Sequence, residues 1–170
     1  MSELLKYTSA VRQGQNKTID KEVSNSVFDI INMNDGTCCF WKEDTLYFNK
    51  NNEYTAYYEK LTGIKPTIII DYDESIFTNI NKFLWFDTPE NLMFIKNNIL
   101  NNVAGIDCFK SQNYILEIVP TGINKGEAIK FLANYYNIDI SEVIAIGDDE
   151  NDISMIMAAG LGVAMKNAKS

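Results

Sequence analysis

The chain has 170 residues, 46% hydrophobic and 12% aromatic, enough apolar side chain for a core in one domain or two small ones and too much for wholesale disorder. Its formal net charge of −8 argues against a nucleic-acid backbone or an anionic membrane as partner, although a bound cation can still bring a phosphate to an acidic surface. There is no histidine, which excludes Ser-His-Asp and Cys-His catalysis and leaves carboxylates, lysine, tyrosine and backbone for acid–base or metal chemistry.

In chain order, "MSELLKYTSAV" lacks the long apolar stretch of a signal peptide, and no apolar run approaches membrane-spanning length. From Asp20 to Asn34, Val23, Val27, Ile30 and Ile31 recur at helical spacing. "TCCFWKEDTLYFNK" reads as a hairpin with arms Thr37–Trp41 and Leu46–Phe48 and a turn at Lys42–Thr45. Cys38 and Cys39 then point to opposite faces as small packing residues. With Cys108 they make an odd count without CxxC spacing, which gives neither a disulfide framework nor a zinc site. A reducing, cytoplasmic setting is expected.

Residues 52–62 read as a helix that stops at Gly63. "PTIIIDYDESIF" follows: a buried-type strand, Thr67–Ile70, ends in Asp71 and Asp73, a pair that could be a nucleophile and its acid partner or simply strand-end aspartates. "NKFLWFD" (81–87) is the next strand. Thr88 caps, and Pro89 opens, a helix through Asn101. Strands at 103–109 and 113–119 complete an α+β block.

After Pro120 the pattern changes. A helix from Lys125 to Asn137, the apolar strand "VIAIG" (143–147), the loop "DDEN", a helix from Asp152 to Ala159 and a strand at 162–165 read as a parallel α/β unit. Such a unit is too small to cover its own sheet, so its strands are expected to pair with another copy or another protein.

Two segments carry chemistry. In "IAIGDDENDISM", Asp148, Asp149, Glu150 and Asp152 place four acids in five positions at the carboxyl end of a strand, the edge where open α/β sheets hold their sites. Capping the next helix explains one or two of them. Four are costly without a cation, and hard oxygen donors near an anionic substrate suit Mg2+. In "VPTGINKGEAI", Lys125 begins a helix, where its charge opposes the macrodipole. Alone it reads as a surface lysine. One helix and one strand ahead of the acidic loop, it is expected at the same edge of an adjacent parallel strand.

"LEIVPTGINKGEAIKFL" followed by "VIAIGDDENDISMIMAAGLGVAMKNA" resembles the Cof-type phosphatases of the haloacid dehalogenase superfamily in its NKG, GDxxND and AGxGVAMxNA runs. "NKFLWFDTPENL" is similar to a strand and helix of that family's cap, and "TSAVRQGQNKTIDKEVSNSVFDII" to the segment leading into it. The resemblance implies a haloacid dehalogenase-like, partial parallel (Rossmann-like) α/β core with an α+β cap: residues 1–19 as lead-in, 20–117 as cap and 118–170 as the C-terminal part of the core. It implies that Lys125 balances charge between nucleophile and phosphate. Asp148 becomes the main Mg2+ ligand, Asp152 the second acid supporting the metal or its water, and Asn151 a hydrogen-bond partner of the phosphate or nucleophile. The implied activity is hydrolysis of small phosphomonoesters, sugar phosphates or similar metabolites, by positioning and electrostatic stabilisation.

The family's DxDGT nucleophile strand, and the Ser/Thr strand ahead of this type of cap, have no counterpart upstream of residue 20. The chain therefore reads as truncated, a cap plus part of a core, and inactive alone. Asp71 and Asp73 could supply the pair in a capless arrangement. However, Glu74 and Ser75 follow instead of Gly–Thr, the interval to Lys125 is short, and Thr88 suits a helix cap better than a phosphate ligand. A non-catalytic fragment and a binding module built on the cap are the remaining alternatives.

Overall fold

The computed structural model describes residues 17–42, 44–70 and 74–168, with the side chain of residue 74 excepted. Asp71 and Asp73, and the lead-in up to residue 16, lie outside the described residues. Two compact units separate at Thr121/Gly122, the first spanning Thr18–Thr121.

The first unit is a six-stranded sheet in the order β3-β2-β1-β4-β6-β5. Its elements are α1 (Lys21–Met33), β1 (Thr37–Lys42), β2 (Thr45–Phe48), α2 (Glu53–Thr62), β3 (Thr67–Ile68), β4 (Ile80–Phe86), α3 (Pro89–Asn102), β5 (Ile106–Gln112) and β6 (Ile115–Pro120). Every pairing is antiparallel except β2 with β3. The β1–β2 hairpin sets Lys42 against Thr45. Period-two alternation then sorts side chains to two faces. Cys38, Phe40, Phe83, Trp85 and Ile118 meet the apolar stripes of α1 (Val27, Phe28, Ile31) and α3 (Leu92, Ile95, Ile99). Cys39, Leu46, Phe48, Leu84 and Phe86 meet α2 through Tyr58 and Tyr54. Adjacent cysteines thus serve different cores, and burial pushes both thiols up, out of the reactive range.

Some boundaries differ from expectation. The strand at Thr67 ends at Ile68: Ile69 is buried, but Ile70 is turned out and 86% exposed. The strand expected at 103–109 begins at Ile106, because α3 runs on to Asn102 and Gly105 at φ 84° precedes the strand; the strand expected at 113–119 begins at Ile115, because β5 continues to Gln112. Thr88 does cap α3, its hydroxyl accepting the Asn91 N–H at 3.4 Å, with Pro89 in the first turn.

Trp85 is fully buried, and its ring lies against Gly36 at the entry to β1. A Cβ on Gly36 would stand 2.2–2.8 Å from three ring atoms, closer than any packing allows. Gly36→Ala is expected to destabilise this unit by about 1–3 kcal/mol, the range for overpacking a core. The check is the urea midpoint followed by tryptophan fluorescence.

The second unit, from Gly122 on, comprises α4 (Lys125–Tyr135), β7 (Ile144–Gly147), α5 (Ile153–Ala158) and β8 (Leu161–Ala164), with 3-10 turns at Ile140–Glu142 and Glu150–Asp152. β7 and β8 pair in parallel, Ile144 with Leu161 through Gly147 with Ala164. One expectation is corrected here. The strand before Lys125 is not an adjacent parallel strand of this sheet. β6 is held antiparallel between β4 and β5 through Leu116 and Ile118, and Gly122, at φ 80°, begins the second unit.

Candidate active site

The site is built on the carboxyl end of β7. Gly147 closes that strand, and a Cβ there would lie 2.4 Å from Cβ and 2.7 Å from Oδ2 of Asp152. Only glycine lets the carboxylate of Asp152 fold back over the strand end. In that position Asp152 Oδ2 accepts the N–H groups of Asp148 at 3.0 Å and Asp149 at 3.3 Å. Asp149 caps the 3-10 turn, accepting the Glu150 N–H at 2.8 Å. Capping therefore accounts for Asp149 and for part of Asp152, and leaves Asp148 and Glu150 to other purposes.

Lys125 reaches the loop from the first residue of α4, whose start is capped by Asn124 accepting from the Glu127 N–H at 3.0 Å. Its ammonium forms an ion pair with Asp152 Oδ1 and donates to Asn151 Oδ1 at 3.2 Å. The N–H of Gly126 donates to Ser154 Oγ at 3.0 Å, fastening the start of α4 to that of α5. Among the described residues no parallel strand delivers Lys125; the lysine reaches the loop because α4 is fastened to α5.

Asp152 is buried, its side chain 8% exposed. Burial works to raise its carboxyl. The hydrogen bonds from Lys125, Asp148 and Asp149, with the lysine charge, outweigh that and hold it below the ordinary range.

Asp148, half-buried, has a different environment. Its Oδ2 accepts from Asn167 Nδ2 at 2.9 Å, and its Oδ1 has no partner among the described residues. Of the two acids expected at a metal, Asp152 has both oxygens engaged by protein, and Asp148 is the one with an oxygen to offer. Among the described residues no three acid or cysteine side chains converge closely enough to hold a metal by themselves. A single strand-end carboxylate fits Mg2+, which is commonly held by one or two carboxylates plus waters and substrate phosphate. Asn151 spends its carbonyl on Lys125, and its Nδ2 has no described partner, so it can donate to an anion.

The structure thus gathers all four expected residues, Lys125, Asp148, Asn151 and Asp152, and adds three not singled out: Gly147, Ser154 and Asn167. The signal for Asn167 was present, since it follows a strand parallel to "VIAIG" and so must emerge at the same edge.

A family model described as haloacid dehalogenase-like hydrolase matches residues 9–170. A 5-amino-6-(5-phospho-D-ribitylamino)uracil phosphatase of Bacillus subtilis is 37% identical over 112 residues, covering 64% of this chain and 38% of that protein. A chloroplastic endoribonuclease of Arabidopsis thaliana is 37% identical over 106 residues, covering 61% of this chain and 18% of that protein. The X-ray structure of a Thermotoga maritima protein superposes at TM-score 0.71 and 31% identity, over 91% of this chain and 58% of that one. The chain therefore spans less than two thirds of the length of each of these relatives.

Proposed function

The chain belongs to the haloacid dehalogenase-like hydrolase family, and from that premise we propose that it contributes the lysine and the metal-binding acid of a Mg2+-dependent phosphatase for small phosphomonoesters. The observation that carries this is the ordered split between the two acids: Lys125 is held by Asp152 and Asn151, beside an Asp148 that keeps an oxygen to offer. In this reading residues 20–117 are the cap that selects substrate and 118–170 the C-terminal part of the core. The substrate class, a sugar phosphate or similar metabolite, is supported by the phosphorylated ribityl compound in the name of the Bacillus subtilis relative.

Asp148 would hold Mg2+, which when bound supplies positive charge to a phosphoryl oxygen. Lys125 holds a second positive charge at a fixed place, set by Asp152 and the cap of α4. Asn151 offers its amide N–H to a phosphate oxygen. Asp152 orders the loop and holds the lysine. These are tasks of positioning and charge stabilisation, the main protein contribution to phosphoryl transfer. The location proposed is cytoplasmic; among the described residues no helix is long and apolar enough to cross a membrane.

No DxDGT run occurs in these residues, so the chain by itself is expected to hydrolyse p-nitrophenyl phosphate with Mg2+ at or near the background rate. Robust Mg2+-dependent turnover that is lost on Asp71→Asn would overturn this and install Asp71 as the nucleophile.

A second reading, association, rests on the sheet of the 122–168 unit. Ile144, Ile146, Leu161 and Val163 are 63%, 59%, 55% and 38% exposed. They pair as Ile144 with Leu161 and Ile146 with Val163 across one sheet. Four apolar side chains so placed favour contact with a second copy. Sedimentation at micromolar concentration is expected to show a species larger than the monomer, and a strict monomer contradicts it.

A further inference from the structure

We propose that Asn167 is a positioning residue for the metal-binding carboxylate, fixing the rotamer of Asp148 so that one oxygen is tied to protein and the other is presented. This rests on the reading of Asp148 as the Mg2+ ligand. The contact is Asn167 Nδ2 to Asp148 Oδ2, 2.9 Å, between residues 19 apart in sequence.

The backbone explains how they meet. β7 and β8 end together, Gly147 opposite Ala164, and the ladder continues one step further with the Met165 N–H donating to the Gly147 carbonyl at 2.9 Å. The Ala168 N–H then closes a turn on the Met165 carbonyl at 2.8 Å, which brings Asn167 round to Asp148.

The chemistry suits the task. Asp148 is one of four acids in five positions, and a carboxylate there without a side-chain partner is free to rotate. A lysine partner would lock it, but would also neutralise it and compete with a cation. An amide N–H locks one oxygen and leaves the full negative charge. Lys125 is directed instead to Asp152, whose two oxygens already accept from Lys125 and from the loop backbone. Outer partners of this kind orient a ligand and raise metal affinity typically 10–100-fold.

The test is Mn2+ affinity, by calorimetry or electron paramagnetic resonance, of the parent chain, Asp148→Asn, Asn167→Ala and Asn167→Gln. The parent should bind and Asp148→Asn should not. Asn167→Ala should bind about tenfold more weakly, at an unchanged melting temperature because the residue is exposed. Asn167→Gln, which keeps the amide, should recover part of the loss. Absent binding by the parent, or an unaffected Asp148→Asn, overturns the metal reading and this inference with it. A weakened Asp148→Asn beside an Asn167→Ala equal to the parent overturns the inference alone. Should the alanine variant fold poorly, the parent decides: its Asn167 side-chain amide resonances should shift on adding Mg2+, and unmoved resonances overturn the proposal.

Discussion

Asp152→Ala should destabilise the 122–168 unit by about 3–6 kcal/mol, the loss of two hydrogen bonds to a charged acceptor. The substitution strands two backbone N–H groups at the end of β7 and removes the partner of Lys125, and each hydrogen bond to a charged acceptor is worth about 1.5–3 kcal/mol. The lysine side chain is 47% exposed and can turn to water, so its share is small after solvent screening. Because the chain has two compact units, the loss is best read locally, as faster hydrogen exchange of the β7 and β8 amides. The pH dependence has a definite sign. The Asp152 carboxyl is held below its ordinary range in the fold, so its contribution is complete above about pH 4, the unfolded carboxylate value. It fades as pH falls through the lower folded value. The gap between parent and Asp152→Ala should therefore be constant from pH 7 to about 5 and close in acid; a gap that widens in acid contradicts the assignment.

Asp148→Asn should behave in the opposite way. It keeps the shape and one carbonyl oxygen, and Asp148 accepts a single described hydrogen bond, from Asn167. Stability is expected to change by no more than about 0.5 kcal/mol, because the amide oxygen of asparagine can still accept that bond and the backbone contact to Asp152 is untouched. Divalent-cation affinity should fall by about 100-fold or more, beyond the loss typical of an outer partner. The pair of variants thus separates two acids four residues apart: Asp152→Ala loses structure first, and Asp148→Asn loses the ion. If both lose stability equally and neither changes metal affinity, the acidic loop is a cap and nothing more.

Much of this was legible in the sequence. The hairpin at Thr37–Phe48, the Thr88–Pro89 helix start and the two-faced cysteine pair follow from period-two alternation and capping chemistry, which are local. The acid-rich strand end and the helix-start lysine were legible because their residue types are costly where they stand. What could not be read was which acid does what. Asp148 and Asp152 differ only in the contacts that Gly147, Lys125 and Asn167 bring, and these are set by tertiary approach. The partner strand of the "VIAIG" segment also went astray. An apolar strand carries no mark of the sheet it will join, so the segment before Lys125 read as parallel, whereas its pairing with β4 and β5 places it in the other unit. Asn167 was missed for a related reason: a polar residue after a strand looks like any turn until the parallel register puts it beside Asp148.

The central claim is that Lys125, Asp148, Asn151 and Asp152 form one site for a phosphate and its cation. Amide-resolved nuclear magnetic resonance of the chain, titrated with Mg2+ and then inorganic phosphate, tests it most directly. Shift changes confined to residues 125–126, 147–152 and 165–167 are the expected result. Changes centred on acids elsewhere, or none in these three segments, would contradict it.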